Sequence, residues 1–164
     1  MNGKKDWQNK QKSGRVQKSL SVREIKSLQK GSLVGLDTNI FIYYFQKHPL
    51  FGPKTKEMFE YLSENKILAI TSNITLIELL AFPLPHNLLK QLENDFLSFP
   101  ILKVQEVTNQ IALESARIRR EYGFRLPDSI QIATALQAKA QAFISNDQKL
   151  KQFKGLKVVL LKQV

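Results

Sequence analysis

One short stretch, Leu33-Val34-Gly35-Leu36-Asp37-Thr38-Asn39, constrains the fold more than any other part of the chain. Leu33, Val34 and Leu36 form an apolar run too short for a helix, preceded by Gly31 and Ser32. That pattern reads as a strand covered on both faces, the kind found in parallel sheets. Asp37 stands where the run stops. Thr38 and Asn39 follow, with short polar side chains that cap helices or fix turns. Ile40 to Phe45 then reads as a helix. Asp37 is therefore expected at a strand-to-helix junction on the carboxyl edge of a sheet, where open α/β folds hold their ligands. An Asp at a helix start is also a common cap, so its role depends on which other acids the fold brings to the same edge.

The rest of the chain repeats the alternation. Apolar runs at 67–70, 101–104, 142–144 and 158–161 read as strands. Helical periodicity appears over 54–63, 74–81, 87–99 and 108–121. Thr71, Ser72 and Asn73 offer a cap for the helix carrying Glu78, which Pro83 and Pro85 stop. Residues 122–126 read as a loop, and Pro127 opens a helix over 128–140. Strands alternating with helices predict an α/β fold with a central, mostly parallel sheet flanked by helices.

Two composition features narrow the chemistry. There is no cysteine, which excludes a disulfide scaffold, a thiolate metal site and a thiol nucleophile. The two histidines, His48 and His86, each adjoin a proline and read as surface turn residues. The net charge is +11. Residues 1–32 hold nine Lys or Arg against two acids, and residues 33–164 hold sixteen against twelve. The chain therefore divides into a basic N-terminal extension, 1–32, and a domain, 33–164. Residues 1–19 are poor in apolar side chains and are expected to be disordered when alone. Ser21 to Glu24 fits a capping box, and Val22, Ile25 and Leu28 share one face of a short basic helix that Gly31 ends. So basic a balance suits a polyanionic partner, RNA or DNA first, although a solubilising tail would have the same composition. No secretory signal or membrane span is legible, so a cytoplasmic protein is expected.

Four acids take comparable places. Asp37 ends the first strand and Asp147 lies just past a later one. Asp128 falls in the first turn after Pro127, and Glu78 sits among Ile74, Leu76, Ile77, Leu79 and Leu80. Singly, each has a plain reading: a helix-start acid for Asp128, a turn residue for Asp147, an ion-pair partner for Glu78. Together they read as carboxylates gathered at the carboxyl end of the sheet. Such a group needs a counter-charge, because like charges raise one another's pKa. Hard divalent cations with oxygen ligands supply it, Mg²⁺ or Mn²⁺ first.

These pieces resemble the PIN-domain family of metal-dependent nucleases, and most of all VapC-type toxins of bacterial toxin–antitoxin pairs. The resemblance rests on Val34-Gly35-Leu36-Asp37-Thr38-Asn39, on Thr71 to Leu80, on Leu126-Pro127-Asp128-Ser129-Ile130-Gln131-Ile132-Ala133-Thr134-Ala135, and on Ile144-Ser145-Asn146-Asp147. The four acids follow in order, 41, 50 and 19 residues apart. It implies a PIN-like three-layer sandwich and hydrolysis of RNA phosphodiester bonds. Asp37, Glu78, Asp128 and Asp147 would be the catalytic, metal-binding acids, with Mg²⁺ or Mn²⁺ as cofactor. Thr38 and Ser145 would take hydroxyl positions that help hold the metal site, Ser145 where threonine is more usual, and Asn39 and Asn146 would support them. An antitoxin and a second copy of the chain would be the protein partners. The basic extension departs from the family pattern, whose members usually begin near the first strand.

With no thiol and no well-placed imidazole, water would be activated by the metal. Arg117, Arg119, Arg120, Lys149 and Lys151 could hold backbone phosphates, or could simply be a solvated face. The alternatives are a PIN nuclease of RNA processing and a non-catalytic RNA- or protein-binding module. A haloacid-dehalogenase-type phosphatase also ends its first strand in Asp, but it needs a second acid two residues on, where this chain has Asn39. The charge of the extension yields a prediction. Its deletion is expected to weaken RNA binding and flatten the salt dependence. An unchanged Kd and salt slope would show the extension to be inert toward RNA.

Overall fold

A computed structural model of the chain describes residue 25 and residues 27–161. The disordered segment and the capping box expected before Ile25 lie outside the described residues. The elements follow in the order β1 (Leu33–Leu36), α1 (Thr38–Phe45), α2 (Gly52–Glu64), β2 (Leu68–Ser72), α3 (Ile74–Leu80), α4 (His86–Leu97), β3 (Leu102–Gln105), α5 (Asn109–Tyr122), α6 (Leu126–Gln137), β4 (Ala142–Ser145), a 3-10 turn (Gln148–Gln152) and β5 (Val158–Leu160). The five strands form one sheet in the order β3-β2-β1-β4-β5, parallel throughout.

Strand alternation divides the core in two. Val34, Leu36, Ala142, Ile144 and Val159 face one side, where Ile40, Phe41, Met58, Phe59, Leu62, Leu79 and Phe96 cover them. Phe143, Val158 and Leu160 face the other, under Ile111, Ile118, Ile132 and Ala135 of α5 and α6. This is the three-layer α/β sandwich expected. Ile25 is buried in the first cluster and Leu28 packs against it, so a deletion that tests the basic extension must end before Ile25 if it is to spare the core.

Element ends differ from expectation in instructive ways. Helix α1 begins at Thr38 rather than Ile40, because Asp37 is itself the N-cap. Helix α2 begins at Gly52, and His86 opens α4 instead of lying in a loop. Thr71 and Ser72 belong to β2, and Asn73 makes no side-chain cap bond. Helix α6 opens at Leu126, with Arg125 as N-cap, and ends at Gln137 instead of running to Ala140. Its end is set by Lys139, which adopts the left-handed region at φ 58°.

Gly35 governs how the layers meet. A Cβ on Gly35 would stand 2.5 Å from Ala135 Cβ and 2.7 Å from Phe143 Cδ2. Neither atom is the tip of a flexible side chain, so α6 rests directly on β1 and its N-terminal turn is carried to the sheet's carboxyl edge. Gly35→Ala is expected to overpack this contact at a cost of about 1–3 kcal/mol. Thermal unfolding should read that as a fall of roughly 2–4 °C per kcal/mol for a chain of this size. An unchanged Tm would show that the two layers are not tightly apposed there.

Candidate active site

The direction of strand addition reverses between β1 and β4, since β2 and β3 extend one side of β1 while β4 and β5 extend the other. Parallel sheets open a crevice at such a switch point, beyond the carboxyl ends of the strands. Asp37 follows β1, and Ser145, Asn146 and Asp147 come at and just past the end of β4.

Asp37 is buried, with 5% of its surface exposed. Its Oδ1 accepts from the Thr38 backbone N–H at 2.8 Å. Its Oδ2 accepts from Asn39 Nδ2 at 2.7 Å and from Ser145 Oγ at 2.6 Å. Ser145 Oγ in turn accepts from the Asp147 N–H at 3.0 Å and from Asn39 Nδ2 at 3.2 Å. Burial pushes the Asp37 carboxyl up to about 7, against the lowering effect of the Ser145 hydrogen bond. The charge of Asp128 adds to the rise, the Thr38 N–H opposes it, and the charge of Glu78 adds again. Asp37, Asp128 and Glu78 therefore share one electrostatic neighbourhood.

The other acids are each held by a different device. Thr38 Oγ1 donates to Glu78 Oε2 at 2.5 Å, which accounts for the half-buried acid in an otherwise apolar helix. Asp128 is buried and takes a two-pronged pairing from Arg125, Nε to Oδ2 at 3.0 Å and Nη2 to Oδ1 at 3.2 Å. Asp147 caps the 3-10 turn by accepting from the Lys149 N–H, and its Oδ2 lies 3.9 Å from Arg125 Nη2. Among the described residues, no three His, Asp or Glu side chains are close enough to grip one ion directly. A small cation would therefore be held by one or two carboxylates, with water filling the rest of its shell, which is how Mg²⁺ is usually bound. The donor set fits that mode: oxygen ligands, a buried carboxylate near the charges of Asp128 and Glu78, and two buried amide oxygens, Asn39 Oδ1 and Asn146 Oδ1, that have no partner among the described residues.

Behind the acids lies a polar network that was not foreseen. Gln131, 1% exposed, donates to Thr75 Oγ1 at 2.6 Å and to Thr38 Oγ1 at 3.2 Å. Its Oε1 accepts from Thr71 Oγ1 and from the Ser72 N–H, each at 3.0 Å. Thr71 and Thr75 meet at 2.7 Å, and Thr71 also reaches the Leu36 carbonyl at 3.0 Å. The network ties β1, β2, α1, α3 and α6 together directly beneath Thr38 and Glu78. A glutamine between Ile130 and Ile132 was the available signal, because a buried amide requires partners. Arg125 was missed too, and its signal was the i, i+3 spacing to Asp128 at a helix start.

The basic residues expected to contact phosphates lie on α5 and on the 3-10 turn after β4. Arg117 pairs with Glu114 and Glu121 along α5. Arg119 donates to the Phe124 carbonyl at 3.0 Å, beyond the helix end where Gly123 takes φ 67°. Arg120, Lys149 and Lys151 are exposed. A groove of about 1020 Å³ lies elsewhere, lined by residues such as Tyr44, His48, Leu79, Phe82, Leu88 and Leu92. It is mainly apolar and contains none of the four acids.

A family model described as PIN domain matches residues 34–156. No curated protein matches the chain significantly. Among solved structures, the fold is similar to VapBC2 from Rickettsia felis bound to a DNA fragment from its promoter, at 20% identity and TM-score 0.64 over 78% of this chain and 98% of that one. It is similar to a toxin–antitoxin complex from Klebsiella pneumoniae, at 22% identity and TM-score 0.59 over 82% and 100%. DNA-bound VapBC from Salmonella typhimurium gives 20% identity and TM-score 0.62 over 82% and 99%. At these identities the structural likeness speaks for the fold, and the family model adds the sequence match from the first strand to beyond Asp147. The chain belongs to the PIN-domain family.

Proposed function

We propose that this PIN domain is a divalent-metal-dependent endoribonuclease and the toxin of a toxin–antitoxin pair. The observation that carries the reading is the buried Asp37 carboxylate at the β1–β4 switch point, raised by burial and by the nearby charges of Asp128 and Glu78. An acid so placed is stabilised in its charged form by a cation. The net charge of +11 favours a polyanionic substrate. The antitoxin reading is supported by the likeness to proteins solved as toxin–antitoxin complexes, and association with a second copy is part of the same proposal.

A bound Mg²⁺ or Mn²⁺ would supply a water of lowered pKa and a Lewis acid for the phosphoryl oxygens. The chain's own residues prepare for it. Asp37 is fixed by donors from Thr38, Asn39 and Ser145, so both of its oxygens are oriented before any ligand arrives. Thr38 orients Glu78, and the Gln131 amide restrains Thr38. Asp128 and Asp147 complete the acidic wall from α6 and from the turn after β4.

Incubation of the purified protein with total cellular RNA and Mg²⁺ or Mn²⁺ is expected to give cleavage that excess chelator abolishes. Asp37→Asn and Asp128→Asn should each lose that cleavage while remaining folded. Folded wild type that cuts no RNA with either metal would overturn the reading, as would variants that cut at the wild-type rate.

The raised Asp37 carboxyl also predicts a pH dependence for the metal-free protein. The unfolded chain releases this proton near pH 4, whereas the fold retains it until about pH 7. Stability from this group is thus complete below pH 4 and is lost as pH rises to 7. Relative to Asp37→Asn, wild type should lose on the order of 4 kcal/mol across that window. Saturating Mg²⁺, which favours the charged form, should shrink the loss. Parallel pH–stability curves for the two proteins would show that Asp37 titrates normally.

A further inference from the structure

Asp128 and Asp147 reach the crevice with a counter-ion already beside them. Arg125 is the N-cap residue of α6, and Asp128 lies three residues on, a spacing that puts both side chains on one face of the first turn. The guanidinium engages both Asp128 oxygens, at 3.0 and 3.2 Å, and the Nη2 that serves Oδ1 also stands 3.9 Å from Asp147 Oδ2. The exposure is lopsided: the Asp128 side chain is 7% exposed and that of Arg125 is 76% exposed. Asp128 is thus fixed in the crevice wall, while the arginine lies over it from solution. A cation held through Asp128 must take at least one of the two oxygens the guanidinium occupies, so the two positive groups compete for the same atoms. Because Arg125 is largely hydrated already, its displacement carries little desolvation cost. Its planar fork of donors suits a phosphate.

We propose that Arg125 is a built-in counter-ion of the acidic crevice that yields Asp128 to an incoming divalent cation and then turns outward to hold a phosphate of the nucleic acid. The proposal rests on the metal-dependent reading of the site. It makes Arg125 act with opposite signs on the two ligands, competing with the cation and assisting the substrate. A residue that merely capped α6 would affect neither ligand in this way.

The test is calorimetric titration of the full chain with Mn²⁺, together with steady-state cleavage of one RNA oligonucleotide. Arg125→Gln is expected to lower the Mn²⁺ Kd about two- to fivefold, the scale of an exposed ion pair, and to raise KM more than it lowers kcat. Arg125→Lys, which keeps the charge but loses the fork, should give a Mn²⁺ Kd between the two. Lys90→Gln, the same charge change at an exposed pair with Glu93 on α4, should leave the Mn²⁺ Kd as in wild type. If wild type binds Mn²⁺ and Arg125→Gln binds it no more tightly, the counter-ion role is wrong and the metal reading stands. Equal tightening by Lys90→Gln would also overturn the proposal, by reducing the effect to net charge. If wild type binds no Mn²⁺, the metal reading fails and the counter-ion role falls with it.

Discussion

The contact of α6 with β1 at Gly35 is the constraint on which the crevice depends. Where Gly35 lacks a side chain, Ala135 comes closer than any Cβ would permit. That approach brings the N-terminal half of α6 to the carboxyl end of the sheet, with Gln131 buried under β2 and Asp128 buried beside Asp37. An ordinary residue at position 35 would lift the helix and carry Gln131 away from Thr38 and Asp128 away from Asp37. The missing side chain at Gly35 thus sets where Asp128 and Gln131 stand as well as how the layers pack.

Charge at the edge of the sheet is organised by neutral groups. Asp37 is fixed by an N–H, an amide and a hydroxyl, and Glu78 by the hydroxyl of Thr38. The hydroxyls and the amide of the Gln131 network sit in the interior with their hydrogen bonds made, the condition under which buried polar groups are tolerated. None of these groups neutralises the acids; they orient them. Asp128 is paired with Arg125, a cation that is itself largely in water. The acids are therefore held in a fixed geometry by neutral donors, with a solvent-exposed arginine as the counter-ion of Asp128.

Much of this was legible in the sequence. Short apolar runs marked the strands, because a strand covered on both faces has no polar side to obscure it. Asp37 could be placed because the run ends on it. Helix ends were less legible where the deciding conformation is unusual, as at Lys139, or where the acid that ends a strand doubles as the cap, as at Asp37. The Gln131 network was hidden because its members come from three separate stretches of the chain, and only the fold brings Thr38, Thr71, Thr75 and Gln131 together. Arg125 was hidden for the opposite reason. A single basic residue in a loop looks like surface until its partner is known to be buried.

The central claim is that the crevice between β1 and β4 holds a divalent cation through its acids. A crystal of the protein soaked in Mn²⁺, measured at a wavelength where manganese scatters anomalously, tests it most directly. The account predicts an anomalous peak within about 2.5 Å of a carboxylate oxygen of Asp37 or Asp128. A well-ordered crevice with no such peak, or a peak only at surface carboxylates elsewhere, would contradict it.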